Sequence, residues 1–353
     1  MPFDAGRRTV TGSPVPVQTG VAQTDFSWAG QFAISRNGTL AYRPGSAGRE
    51  LLRLTWADRR GQEVPLSSPL RAYVSPRVSP DGQRIAVASF DEEHDIWILD
   101  VATEGLRRLT FGPAEEQHLA WGADSRDVFF CSEDSSGSGC AIFWMRADGT
   151  GAPEALTDKA EGGYPQAATR DGKSLVYQRM REGRSDLFLL ALDGSRPPQP
   201  LLAEPDFDEL NADISPGGQW IAYQSNESGR HEVYVRPFPA VHGGRWQISA
   251  GGGTRPAWSP AGGELMFLMS DQRLASAAVH DAANRAAFSF GPPQPLLERG
   301  IYALGAVRRN FDVSRDGQRV LIARPPTADT SAHPSLVVVF HWDQEVRAQV
   351  PLP

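Results

Sequence analysis

The chain of 353 residues is short of three things: long apolar runs, positive charge and cysteine. No stretch approaches the roughly eighteen consecutive apolar residues of a membrane-spanning helix. Lysine and arginine number 35 against 42 aspartates and glutamates, a net charge of −7. That balance argues against general nucleic-acid binding, which needs a basic surface. No basic block offsets it, since Arg179-Met180-Arg181-Glu182-Gly183-Arg184 reads as a solvated hairpin tip. The opening residues, Met1 to Arg8, hold no apolar core of the kind a secretory signal carries. As written, the chain is expected in the cytoplasm.

Catalytic signatures are missing as well. There is no Gly-rich loop ahead of a strand lysine, no His-Arg-Asp and no Asp-Phe-Gly, so no kinase catalytic domain is present. Gly-x-Ser-x-Gly does not occur, which removes the nucleophile elbow of propeller-bearing peptidases. The seven histidines form no His-x-x-x-His pair, and no Cys-x-x-Cys accompanies them. The acidic loop Asp91-Glu92-Glu93-His94-Asp95 lacks the glycine-punctuated spacing of a calcium loop and reads as solvated. Neither a metal nor a cofactor is expected. The two cysteines, Cys131 and Cys140, flank the Ser132–Gly139 connection. They are either unrelated thiols or the two halves of a cross-strand disulfide, which would imply an oxidising compartment.

What the chain has in quantity is turn chemistry, with 35 glycines and 28 prolines. The model stretch is Val78-Ser79-Pro80-Asp81-Gly82-Gln83-Arg84-Ile85-Ala86-Val87. Pro80 presets the φ of a type I turn, Asp81 tolerates the next position, and Gly82 accepts the positive φ that returns the chain to a strand. Seven copies align on Gly38, Gly82, Ser125, Gly172, Gly218, Gly262 and Gly317. They recur about every 45 residues, with strands between them, as propeller blades do.

Each copy follows a four-strand grammar. Inner strands such as Asn211–Ile214 and Arg255–Trp258 precede the turn, and second strands such as Arg84–Ser89 and Trp220–Gln224 follow it. Third strands include Asp95–Asp100, Glu232–Arg236 and Leu336–Phe340, and short fourth strands include Pro198–Leu202 and Pro293–Leu297. The fold is therefore read as one all-β domain, a propeller of four-stranded antiparallel blades. Seven blades are expected at about 31–69, 71–112, 113–160, 161–204, 205–252, 253–300 and 302–340, with a tail at 341–353 and six blades as the alternative. The last copy lacks a fourth strand, and Pro14–Val17, within a closing segment 14–18, resembles the other Pro-x-Pro strands. It is expected to close the ring against Leu336–Phe340, hiding both sheet edges.

Ser225-Asn226-Glu227-Ser228-Gly229-Arg230-His231-Glu232-Val233-Tyr234-Val235-Arg236-Pro237-Phe238-Pro239 and Gly243-Gly244-Arg245-Trp246-Gln247-Ile248-Ser249 make the chain recognisable. With the Ser-Pro-Asp-Gly turns, Pro2-Phe3-Asp4 and Val337-Val338-Val339-Phe340-His341-Trp342, it resembles a TolB-like, WD-repeat-like β-propeller. Such propellers follow the membrane segment in many bacterial eukaryotic-like serine/threonine protein kinases. The resemblance spans nearly the whole chain. It implies a kinase-associated module, extracytoplasmic if joined to an upstream membrane segment, or a fragment of a longer kinase-propeller protein.

One positional pattern suggests a binding site. Four residues before each turn stand Gln31, Ser75, His118, Pro165, Asn211, Arg255 and Asn310, and two later come Ala33, Arg77, Ala120, Ala167, Asp213, Ala257 and Asp312. In a propeller these positions begin the inner strand near the channel, where polar ends serve either as solvent caps or as a ligand mouth. His118, Asn211, Arg255, Asn310, Asp213 and Asp312 are the candidate mouth. The leading function is a non-catalytic scaffold or sensor that binds a protein or peptide, expected to be a monomer. The alternative is a propeller hydrolase or lactonase with a channel-bound metal on Asp213, Asp312, Asn211 and Asn310.

Overall fold

A computed structural model describes residues 3–4, 6, 9–10, 18, 21, 30–44, 51–91, 94–133, 139–181, 183–281, 288–297, 300, 308–326 and 336–349. The chain divides into two compact units: residues 1–50 with 327–353, and residues 51–326.

Among the described residues, the larger unit holds six antiparallel sheets. Blade one is built from Tyr73–Val78, Arg84–Phe90, His94–Asp100 and Leu106–Arg108, ordered outward from the first strand. Blade two (Glu115–Trp121, Asp127–Glu133, Ala141–Arg146, Glu154–Ala155) and blade three (Tyr164–Ala168, Ser174–Arg181, Arg184–Ala191, Gln199–Leu202) repeat that order. Blade four comprises Glu209–Ile214, Trp220–Ser225, Glu232–Pro237 and Trp246–Gln247. Blade five runs Gly253–Trp258, Glu264–Met269 and Leu274–Asp281, with the short outer strands Phe288–Phe290 and Gln294–Pro295. Blade six takes Phe311–Val313 and Arg319–Arg324 from the end of the unit and Arg53–Asp58 and Glu63–Pro65 from its beginning.

Among the described residues, six hydrophobic cores form, one at each interface between neighbouring blades. Ala88 and Ile98 of blade one meet Leu119 and Phe130 of blade two, and Leu54 and Trp56 of blade six meet Tyr73 and Val87 of blade one. Because the last interface returns to the first blade, the ring is closed. No blade can bury both of its faces alone, so each depends on two neighbours.

The turns close as their residues dictate. Gly82 lies at φ +75° and its N–H donates to the Ser79 carbonyl at 2.7 Å. The Ser79 hydroxyl donates to the Asp81 carboxylate at 2.5 Å and accepts from the Arg84 N–H at 3.0 Å. Ser314 with Asp316, and Thr169 with Asp171, repeat the arrangement. In the copy without glycine, Ser125 itself sits at φ +63°. Its hydroxyl accepts the Asp81 N–H of the adjacent blade at 2.9 Å, offsetting part of the left-handed strain.

The closing strand requires a correction. Pro14–Val17 lies outside the described residues, and its expected partner does not belong to the last blade of the ring. Val337–Val339 pairs instead with Leu40–Tyr42 in the smaller unit. The third strand beside Arg319–Arg324 is Arg53–Asp58, in register from Arg319↔Asp58 to Arg324↔Arg53. Burial explains the choice. A third strand is covered on both faces, and Leu54, Thr55, Trp56 and Ala57 are all buried. Val337–Val339 is at best half-buried, and its flanks Leu336 and Phe340 are exposed. The stretch expected as one blade at 31–69 is accordingly split between the two units.

In the smaller unit, the first turn copy, Ser35-Arg36-Asn37-Gly38, joins Phe32–Ile34 to Leu40–Tyr42 in a three-stranded sheet completed by Val337–Val339. Among the described residues, seven sheets of three or more strands thus carry the seven turns, six of them in the ring. The tail forms a helix at Trp342–Gln349, whose first N–H donates to the Gly38 carbonyl at 2.8 Å. The sulfurs of Cys131 and Cys140 are bonded, with Cα atoms 5.6 Å apart.

Candidate functional site

The innermost strands share an irregularity that aims their side chains. In blades one, two, four and five the register skips at Val74/Arg77, Gln117/Ala120, Leu210/Asp213 and Thr254/Ala257. Two residues there face one on the neighbouring strand, which is a β-bulge. The first bulged residue is left-handed in each: Ser75 and His118 at φ 53°, Asn211 at 53° and Arg255 at 55°. Blade three has Pro165 at this place, whose ring forbids a positive φ, and its register skips by one residue between Pro165 and Ala167 instead. A non-glycine residue held at positive φ costs about 1 kcal/mol or more. Four blades bear that cost at one structural level.

This bulge separates two layers of candidate residues. Asp213 and Asp312, beyond the bulge, line a cavity of about 480 Å³ that opens among the turns of the ring. Arg77, Arg309, Trp121 and Trp258 line it too, with Pro80, Pro216, Pro260, Arg170 and Arg315 towards the turns. His118, Asn211, Arg255 and Asn310 are not in its wall. They are buried at the bulge level, each no more than 5 % exposed. The six candidates therefore fall into two groups.

In the cavity the charges are interlocked. The Arg309 guanidinium pairs with Asp213 and Asp312, at 3.2 Å each. Asp312 also accepts the Val78 N–H at 2.7 Å, and Asp213 accepts the Trp258 N–H at 2.8 Å. Each aspartate thus ties its own blade to the next. The second oxygen of Asp213 accepts the Ile214 N–H at 3.1 Å. Every oxygen of the two carboxylates has a donor, and a guanidinium already occupies the space between them. A channel-bound metal on Asp213 and Asp312 does not fit these residues.

Burial, then Arg309 beside it, pushes the Arg77 guanidinium down to about 9, with Asp312 and Asp213 acting in the opposite sense. Burial also raises the Asp213 carboxyl, against the pull of Arg309. Arg77 donates to the carbonyls of Pro76 and Arg309, at 2.8 Å each. The indoles of Trp121 and Trp258 donate to the Arg77 and Asp213 carbonyls of the preceding blades, at 2.9 and 3.2 Å. The lining thus has two carboxylates matched by two buried guanidiniums, and Arg170 and Arg315 in excess at the exposed rim.

At the bulge level the polar groups brace the backbone. Asn310 accepts the Ser75 N–H at 3.3 Å. Gln224 accepts both the Asn211 amide at 3.0 Å and the Arg255 N–H at 3.2 Å. His118 stacks on Tyr164, with centroids 4.1 Å apart, and burial first, then Arg308 and Arg77, holds its imidazole well below the ordinary range. It is neutral at pH 7. Arg309 was not singled out by the sequence pattern. It precedes Asn310 and falls outside the two-residue alternation. Its partners lie on blades four and six, so nothing local to it signals the ion pairs.

No family model matches the chain. Over 233 residues it is 23 % identical to the uncharacterized protein Atu1656 of Agrobacterium fabrum, spanning 66 % of this chain and 77 % of that protein. Its structure is similar to that of a protein carrying the TolB designation from Agrobacterium tumefaciens, with a TM-score of 0.61 and 19 % identity, over 80 % of this chain and 100 % of the other. TolB from Acinetobacter baumannii follows at a TM-score of 0.52 and 15 % identity, over 84 % and 79 %. These likenesses establish the fold as a TolB-like β-propeller. A propeller hosts many functions, so the function must be argued from the site.

Proposed function

We propose that this chain is a non-catalytic binding module whose cavity among the turns receives an extended, acidic peptide segment of a protein partner. The observation that carries the reading is the surplus of guanidinium at the rim. Within the cavity lining, Asp213 and Asp312 are matched by Arg309 and Arg77, which leaves Arg170 and Arg315 exposed without a carboxylate of the lining to oppose them. Trp121, Trp258 and the turn prolines supply rigid, flat contact area at small entropic cost. The bulges hold this surface in place before a partner arrives. Rim charges govern encounter and salt dependence more than residence time, so binding should weaken steeply with ionic strength.

The resemblance to kinase-attached propellers extends the proposal to a partner in a serine/threonine kinase signalling system. The test is fluorescence anisotropy with a library of labelled acidic and basic peptides against the purified full chain. Acidic peptides are expected to bind the wild type, with roughly tenfold or greater loss in the Arg170→Glu/Arg315→Glu double variant. Equal binding of acidic and basic peptides, or no loss in the double variant, sinks the reading.

A further inference from the structure

Arg255 lies one residue before Pro256, whose carbonyl accepts Arg309 at 3.1 Å. It therefore sits one layer beneath the charged quartet of the cavity. It is 4 % exposed. Unlike Arg309, it makes no ion pair among the described residues, and its Nε has no acceptor. Burial is the one cause that pushes its guanidinium down, to about 10, so it remains a cation at neutral pH. An unpaired buried guanidinium is costly, because it has given up water without gaining a counter-charge.

A second donor, on the residue that accepts the Arg255 backbone N–H, is also unused. The Gln224 side chain is fully buried, and its oxygen faces the Arg255 backbone N–H. Its Nε2 has no acceptor among the described residues. The left-handed bulge at Arg255 fixes this level of the strand against Gln224 of the preceding blade. Two unsatisfied donors, one of them charged, thus stand on residues joined by that backbone hydrogen bond, and no carboxylate among the described residues pairs with either.

We propose that Arg255 and the Nε2 of Gln224 form an oxyanion site beneath the cavity floor, taking the carboxylate of a guest. The guanidinium supplies paired N–H donors matched to a carboxylate, and the carboxamide supplies another. The site does not depend on the rim arginines. The Arg170→Glu/Arg315→Glu variant that loses peptide capture is expected to keep it, so the two readings fail separately.

The test is differential scanning calorimetry of the full chain in sodium acetate, sodium phosphate or sodium chloride at matched ionic strength. Acetate at saturating concentration is expected to raise the wild-type Tm by about 2 °C over chloride, and to leave Arg255→Met unmoved. Gln224→Glu keeps the acceptor for the backbone and gives Arg255 a carboxylate of its own. It is expected to raise the Tm and to abolish the acetate effect. A lower Tm in Gln224→Glu, with no acetate effect on the wild type, overturns the site. A phosphate shift larger than the acetate shift overturns the carboxylate assignment.

Discussion

Two arginines at the inner strands of the ring, one layer apart, are buried to similar depth and solve the same problem differently. Arg309 is 9 % exposed and gathers Asp213 and Asp312 around itself. Arg255 is 4 % exposed and gathers none. A buried ionisable group without a partner normally gives up its charge, and a third residue shows how. Glu209, at the start of the inner strand of blade four, is pushed up to about 8, by burial first and then by Asp186, Glu204 and Glu227. It meets burial by staying neutral. Arginine cannot do the same near pH 7. The contrast separates a charge used for holding blades together from one left available to a guest.

The comparison breaks most directly at Arg309. Replacing it with methionine leaves two carboxylates buried without their cation. Urea unfolding should show a loss of about 3–5 kcal/mol. A loss below about 1 kcal/mol would mean that the quartet does not hold the ring. Glu209 gives a smaller, pH-dependent effect. Its folded pKa is raised, so the folded state binds the proton more tightly than the unfolded chain does. Stability from this group is present at low pH and is lost as pH rises from about 4.3 through about 8. The difference in Tm between wild type and Glu209→Gln should therefore move against the wild type across that window. A flat difference would show that Glu209 ionises normally. The smallest effect belongs to Arg255→Met, expected within about 1 kcal/mol of wild type because no ion pair is broken. A loss as large as that of Arg309→Met would erase the distinction between the two arginines.

The repeating turn was legible because its chemistry is local. Ser79, Pro80, Asp81 and Gly82 contain within four residues the hydroxyl, ring, carboxylate and missing Cβ that the turn uses. The seven copies could therefore be aligned without knowing what surrounds them. The closing strand was harder to read. Arg53–Asp58 is flanked by no Ser-Pro-Asp-Gly turn, and its claim to the last blade rests on Leu54 and Trp56 meeting Tyr73 and Val87 of another blade. The site was half legible. Asp213 and Asp312 were visible as polar residues in step with the strand alternation. The bulge that divides them from Asn211 and Arg255 was not, because a bulge is a property of register between two strands.

By itself, the order of residues determined that this chain would make short antiparallel strands joined by tight turns, repeated about seven times and packed through apolar faces. Those outcomes follow from φ preferences and period-two alternation, which act over a few residues. Tertiary structure alone decided which distant strand completes the sixth blade, and which arginine received carboxylates and which did not. Such pairings join residues far apart in the chain, and their energies exist only once the ring has brought the partners together and removed the water between them.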